Sequence, residues 1–371
     1  MTLTGGQVEV LAIATLTAVA CAVTGTFLVL RRVAMLSDAI SHAVLLGIVV
    51  AFLAVRDLGS PLLLVGAAAT GLLTVLLVEA LVRTGRVRQD ASIGLVFPAL
   101  FSIGVILVSR FAGDVHLDTD AVLLGELAFA PLDRLVVAGT DLGPRAMWEM
   151  AAILLADVAF VLLFYKELKL TTFDAGLAAA FGFAPAAMHY GLMALVSVTA
   201  VGAFDAVGSV LVVALMVAPP AAAWMIANSL PAMIGLSAAF GAVAAVTGHA
   251  AARELDASIA GSMAAAAGLV FAAAFLVSPS HGVLAAIARR RRQRWAFAEA
   301  TLAVHLLQHQ DRPEAAEECR ADRVHRHLEW DAAFTGQVVR RAVRRGMVAR
   351  TGPCLGLTAA GRSLAREYMG L

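Results

Sequence analysis

Long apolar blocks separated by short polar seams set the pattern of this chain. The blocks fall at about 8–30, 36–55, 61–83, 91–110, 148–165, 187–203, 205–218, 231–251 and 259–288. Most approach roughly 20 residues, the length at which a helix rising 1.5 Å per residue crosses about 30 Å of hydrocarbon. The block at 205–218 is short and ends in Pro219-Pro220, which predicts a broken or half-length helix. The stretch 119–147 is apolar but interrupted by Asp120, Glu126, Pro131, Asp133 and Pro144. That pattern predicts a short helix or re-entrant piece followed by a loop. Beyond 288 the apolar blocks stop, and "RWAFAEATLAVHLLQHQ" (294–310) has the amphipathic period of a helix on a soluble body.

Composition agrees with the pattern: 60% of the 371 residues are hydrophobic and 15% charged. The fold class expected is an all-α polytopic membrane protein with about 8–9 transmembrane helices and a small cytoplasmic α(+β) C-terminal domain. The expected division is 1–290 and 291–371. Charge supports two bodies, because residues 1–288 hold 12 Lys+Arg against 18 Asp+Glu while residues 289–371 hold 16 against 9. The N-terminus has no basic leader and reads as a retained first span. Cys21, Cys319 and Cys354 are scattered and suggest neither a disulfide framework nor a zinc knuckle.

The basic seams fix an orientation. Arg31 and Arg32, Arg83 with Arg86 and Arg88, Lys166 with Lys169, and "RRRRQR" at 289–294 all fall on one side if there are nine spans. By the positive-inside rule that side is the cytoplasm, so the C-terminus is inside and Asp114, Asp118, Asp120, Glu254 and Asp256 face out.

Against this background Asp38 and His42 stand out at the front of "MLSDAISHAVLLGIVV". At i and i+4 they share a helix face, and carboxylate plus imidazole is a donor pair for Mn²⁺, Fe²⁺ or Zn²⁺. Two ligands do not close a site, but two copies of the pair would. The competing reading is a helix cap at Ser37 or Asp38 with a packed histidine. Glu79, Glu126, Asp157 and Asp205 are further acids in or beside apolar blocks, each a candidate pathway group or an interface residue. "HLDTD" at 116–120 offers His116, Asp118 and Asp120 on the outer side, where a solvated loop is the simpler reading. "KELKLTTFDAGLAAAFGF" (166–183) is a polar turn leading into an amphipathic piece too short to span, suited to docking in a partner's groove. Lys166 and Lys169 are the only lysines in the chain and neither follows a glycine, so a Walker A motif is impossible.

Four ordered stretches resemble the permease subunits of the metal-ion ABC importers, those for manganese, zinc and iron(II). They are "RRVAMLSDAISHAVLLGIVVAF", "HLDTDAVLLGELAFAPLD", "FYKELKLTTFDAGLAAAFG" and "FDAVGSVLVVALMVAPPAAA". The resemblance spans about residues 8–288. It implies that Asp38 and His42 bind the passing cation. It implies that Lys166, Glu167, Thr172, Phe173, Asp174, Ala178 and Gly182 belong to the segment that contacts the ATPase. Glu126 and Asp205 are the further pathway acids. The implied protein is no enzyme and holds no permanent cofactor. It is a multi-pass subunit of a prokaryotic inner (plasma) membrane, working with cytoplasmic ABC ATPase subunits, an extracytoplasmic metal-binding protein and a second permease, either a copy or a sister. Ser37 and Leu46 stand where many members have glycine and proline, a version similar to the manganese/iron branch. Manganese is therefore the first expected cargo, with zinc or iron(II) as alternatives.

Two readings of other classes compete. A membrane metalloprotease would want HExxH, which is absent. A gradient-driven secondary transporter would be expected to show inverted repeats, and no convincing repeat is present. The tail, with helices followed by "RRGMV…LGLTAAGRSLA", resembles a winged-helix domain of the diphtheria-toxin-repressor type. Arg340, Arg341, Arg344 and Arg345 would form its basic face. A domain tethered to the membrane searches DNA poorly, so contact with protein or regulation of transport is expected and nucleic acid is not. His325, His327 and Glu329 are a weak metal-sensing candidate, because residues at i and i+2 diverge on a helix.

Overall fold

A computed structural model describes residues 5–57, 60, 62–111, 127–137, 140–279 and 282–370. Among them the chain separates into two compact units, 1–282 and 283–371.

The first unit is helical. Its long helices are α1 (Gly5–Leu30), α2 (Met35–Val55), α3 (Leu62–Arg83), α4 (Gln89–Phe111), α5 (Arg145–Leu163), α8 (Pro185–Val207), α9 (Ser209–Ile226), α10 (Leu230–Leu255) and α11 (Ile259–Val277). Among the described residues these nine are long and apolar enough to cross a membrane. Two short helices, α6 (Tyr165–Phe173) and α7 (Ala175–Ala180), form an elbow between α5 and α8. A hairpin of β1 (Arg134–Val137) and β2 (Thr140–Pro144) precedes α5, pairing antiparallel. The expected short helix or re-entrant piece is thus, where described, a turn at Ala130–Leu132 and this hairpin.

The core sits around α1, whose most apolar window is 72% buried against 17% for α5. Helix α1 packs against α5, α8, α9 and α10, while α2 packs against α3 and α4. Small residues allow the closest crossings. Gly47 of α2 and Gly66 of α3 face each other so closely that a Cβ on either would strike the other's carbonyl.

Two expected spans are corrected. The helix predicted to break at Pro219-Pro220 instead begins at Ser209 and runs through both prolines to Ile226. The break lies before it, at Gly208, whose φ of 82° is left-handed. Proline frees carbonyls four residues back, and neighbouring helices can shield them. Here the carbonyl of Met216, which would have bonded the missing N–H of Pro220, lies directly against Gly25 of α1. The last span ends at Val277 rather than 288, capped by Ser278 and stopped at Pro279. Ser278 Oγ donates to the Met225 carbonyl at the end of α9 (2.5 Å).

The second unit comprises α12 (Val283–His309), α13 (Ala315–Glu318), α14 (Val324–His327), α15 (Ala332–Arg344), the antiparallel hairpin β3 (Val348–Thr351) and β4 (Cys354–Leu357), and α16 (Ala359–Met369). Its core includes Leu302, Leu306, Val324, Val338, Val348, Leu355 and Ala365. The expected boundary at 290/291 falls inside α12. On the expected basic face of α15, Arg341 and Arg345 pair with the buried Glu299 of α12, at 2.6 and 2.8 Å, while Arg340, Arg344 and Arg345 are exposed.

Candidate functional site

Asp38 and His42 occupy the first two turns of α2. At 1.5 Å per residue they stand roughly 5 and 10 Å from its start, beside the seam that carries Arg31 and Arg32. Asp38 Oδ1 and His42 Nε2 are 3.5 Å apart, with side chains 36% and 29% exposed. The helix-cap alternative has no support in the local geometry. The residue at the N-cap position is Ala34, which makes no side-chain cap, and Ser37 Oγ donates back to the Ala34 carbonyl (2.7 Å). Ser41 likewise donates to the Ser37 carbonyl (2.9 Å), so neither serine adds a donor to the pair. Two aromatic rings of α4 flank the imidazole, Phe97 at 5.7 Å and Phe101 at 6.3 Å between centroids. The result is an acid–imidazole pair with apolar walls and an open side.

The other acids do not join this pair. Asp157 is fully buried and accepts from Thr199 Oγ1 at 2.9 and 3.0 Å, which makes it a satisfied contact between α5 and α8. Asp205 is exposed near the end of α8, within electrostatic range of Arg145, Glu149 and Asp133. Glu126, with Asp114, His116, Asp118 and Asp120, lies outside the described residues.

Glu79 belongs to a different group, which the sequence reading did not assemble. On α3 it pairs with His189 of α8, accepts from Tyr190 Oη at 2.7 Å and lies 3.5 Å from Arg83. On the far side of His189, Arg31 Nη1 donates to Nδ1 at 3.0 Å. An arginine only donates, so the imidazole proton sits on Nε2, toward Glu79. The same guanidinium donates to Thr172 Oγ1 at 3.2 Å and Thr171 Oγ1 at 3.3 Å, both on α6. Burial holds the Arg31 guanidinium below its ordinary range. A single chain of contacts therefore links the elbow, the end of α1, the start of α8 and the end of α3. The readable signal was His189 and Tyr190 opening a span, with unpaired basic residues in the facing seams.

The elbow itself is well defined. Asp174 caps α7 by accepting from the Leu177 N–H (2.8 Å), and Gly182 closes it at a φ of 84°. Ala178 is buried, whereas Phe173, Leu177 and Phe181 are 65%, 45% and 69% exposed. Lys166 and Glu167 sit in its first turn. Of the tail candidates His325, His327 and Glu329, His327 meets the carboxylate of Glu318, and Glu329 takes a left-handed φ of 51°.

A bundle of nine apolar helices with a polar pair near one helix end and an aromatic-tipped elbow outside the spans has the design of a transport permease. The chain matches the ABC 3 transport family over residues 7–278, and it belongs to that family. It is a membrane permease subunit of an ABC transporter and not itself an ATPase. It is 48% identical over 361 residues to the zinc transport system membrane protein TroD of Treponema pallidum, covering 97% of this chain and 98% of that one. It is 48% identical to the manganese transport system membrane protein MntD of Bacillus subtilis, covering 74% and 93%. Among solved structures, PsaBC from Streptococcus pneumoniae in complex with Fab is similar at a TM-score of 0.63 and 28% identity, over 75% of this chain and 94% of that one. The family match stops short of the tail, and the repressor-type resemblance of the tail draws no support from it or from these relatives.

Proposed function

We propose that this permease carries a divalent transition-metal ion inward and that Asp38 and His42 are its ligands. The observation that carries the reading is the pair itself: carboxylate and imidazole 3.5 Å apart on one face, walled by Phe97 and Phe101 and open on one side. One pair is half a coordination shell. A second permease, a copy of this chain or a sister subunit, supplies the other half. The even mix of carboxylate and imidazole without thiolate suits Mn²⁺, and Zn²⁺ is the alternative. The names of the two 48% relatives divide the same way. The metal arrives from an extracytoplasmic binding protein.

The elbow is the ATPase contact. Exposed Phe173, Leu177 and Phe181 form an apolar knob on a capped, rigid turn, the kind of anchor that fills a partner's groove. The tail makes protein contacts or regulates transport, since a domain tethered to the membrane searches DNA poorly.

The test is radiolabelled manganese and zinc uptake by cells or proteoliposomes holding the assembled complex. Asp38→Ala and His42→Ala are each expected to lower uptake at least about 100-fold, in the manner of lost transition-metal ligands, while the complex still copurifies. Wild-type uptake by either variant removes the ligand assignment. Phe181→Asp is expected to strip the ATPase from the purified permease, and undiminished copurification argues for another docking surface.

A further inference from the structure

The second unit gathers four side chains that the transport path does not use. His305 and His309 lie at i and i+4 in the last turns of α12, with ring centroids 4.6 Å apart. The turn after α12 brings Glu318, at the end of α13, back onto them. One donor atom from each of His305, His309 and Glu318 lies within 4.8 Å of the other two. His327, at the end of α14, adds its Nδ1 at 2.9 Å from Glu318 Oε2. Three separate elements thus converge on one point, beneath which His305 is 9% exposed.

Local hydrogen bonds orient both rings of α12. His309 Nδ1 is 2.9 Å from the His305 carbonyl, and His305 Nε2 is 3.1 Å from the Glu318 carbonyl. A carbonyl only accepts, so His309 Nδ1 carries the proton and its Nε2 lone pair is free, while His305 turns Nε2 toward Glu318, 3.1 Å from its carbonyl and 3.8 Å from its carboxylate Oε2. Holding the second ring nitrogen on a carbonyl is how metal-binding imidazoles are fixed in proteins. The C-terminal end of α12 adds the negative pole of its helix dipole.

We propose that His305, His309 and Glu318 form a second binding site for a divalent first-row transition-metal ion, with His327 orienting the Glu318 carboxylate. Two imidazoles and a carboxylate suit zinc, cobalt(II), iron(II) or manganese. Cys319, next in the chain, is buried and is not among the converging donors. Ligands bound to one ion at about 2.1 Å stand roughly 3.4 Å apart, so the trio closes by about an ångström of side-chain movement and water completes the shell. Glu318 is then shared between the ion and His327, the arrangement that tightens a metal site from outside.

The test uses the full-length chain in detergent, carrying Asp38→Ala and His42→Ala so that the membrane pair contributes nothing. Titration with cobalt(II) is expected to give visible ligand-field absorption saturating at one ion per chain, bleached by zinc. Adding His309→Ala or Glu318→Gln is expected to weaken that binding at least about 100-fold, and His327→Ala about 10-fold, with near-ultraviolet circular dichroism unchanged. Glu318→Gln preserves size and guards against a merely misfolded tail. Absence of cobalt binding in the double-alanine parent, or undiminished binding in both His309→Ala and Glu318→Gln, overturns the site. Either result leaves the uptake assay, and with it the role of Asp38 and His42, unaffected.

Discussion

Arg31 shows how one residue can answer two demands. In the sequence it marks a cytoplasmic end of the first helix. In the fold its guanidinium holds two threonines of the elbow and one nitrogen of His189, whose other nitrogen faces Glu79. Arg31 thus supplies a polar tie between elbow and bundle beside the apolar contact of Leu168, which is buried in the bundle core. Arg31→Gln keeps some hydrogen-bonding capacity but loses the fork that reaches three partners at once. Uptake by the assembled complex is expected to fall at least about tenfold while ATP hydrolysis by the same complex persists, each charge-assisted bond being worth roughly 1.5–3 kcal/mol. Parallel losses of hydrolysis and uptake would mean that Arg31 holds the complex together rather than coupling it. The Asp38–His42 pair was legible because i, i+4 spacing carries geometry without any tertiary knowledge. The Arg31 group was not, since the partners of Arg31 lie 140 to 158 residues away along the chain. The His305–Glu318 convergence was hidden for the same reason, because it depends on a turn that sequence spacing does not describe.

At the scale of elements, helix length and apolarity were enough to find the nine spans, because lipid tolerates only segments that satisfy their own backbone. Where the reading failed, it applied rules of soluble helices. Pro219-Pro220 would end a helix in water, where nothing shields the freed carbonyls. Inside the bundle Gly25 presses against one of them, and α9 continues to Ile226. The β1–β2 hairpin was missed because Asp133 and Pro144 looked like loop punctuation, whereas Arg134 pairs across the hairpin with Asp141 and also reaches Glu9 of α1. Gly25→Val tests the crossing. A branched side chain there meets backbone rather than a movable side chain, so a loss of about 3 kcal/mol or more in stability is expected. Thermal denaturation of the detergent-solubilised permease measures it, and a midpoint within error of wild type would show that α1 and α9 can part without cost.

At the scale of the whole molecule, two units differ in charge and in their reach across relatives. The match to TroD covers 97% of the chain and so includes the tail, whereas the match to MntD covers 74%. Transport therefore does not require the tail in every family member. Truncation after Arg294 is expected to leave a folded, membrane-inserted permease that still assembles with its ATPase, with uptake changed in rate but not abolished. Size-exclusion profiles and uptake time courses check this, and an aggregated or inert permease would show that the tail is structural. Sequence-selective DNA binding is not expected of the intact chain. Arg341 and Arg345 each donate to buried Glu299, which neutralises part of the cluster's charge.

The crossing of α2 and α3 has a mechanical corollary. Gly47 lies against Gly66, and Ile40 lies against Gly71, so the two helices run antiparallel in close register. Continuing that register from Ile40 and Gly71 sets Asp38 level with about residue 73 of α3, and Glu79 less than two turns farther, roughly 9 Å along the axis. The Glu79 group and the proposed ligand pair are therefore neighbours on two tightly crossed helices. If Asp38 and His42 seat the ion as proposed, a push arriving at Glu79 has little lever length over which to dissipate, and a stroke of the order of the gap between two atoms in contact would suffice to open or close the seat.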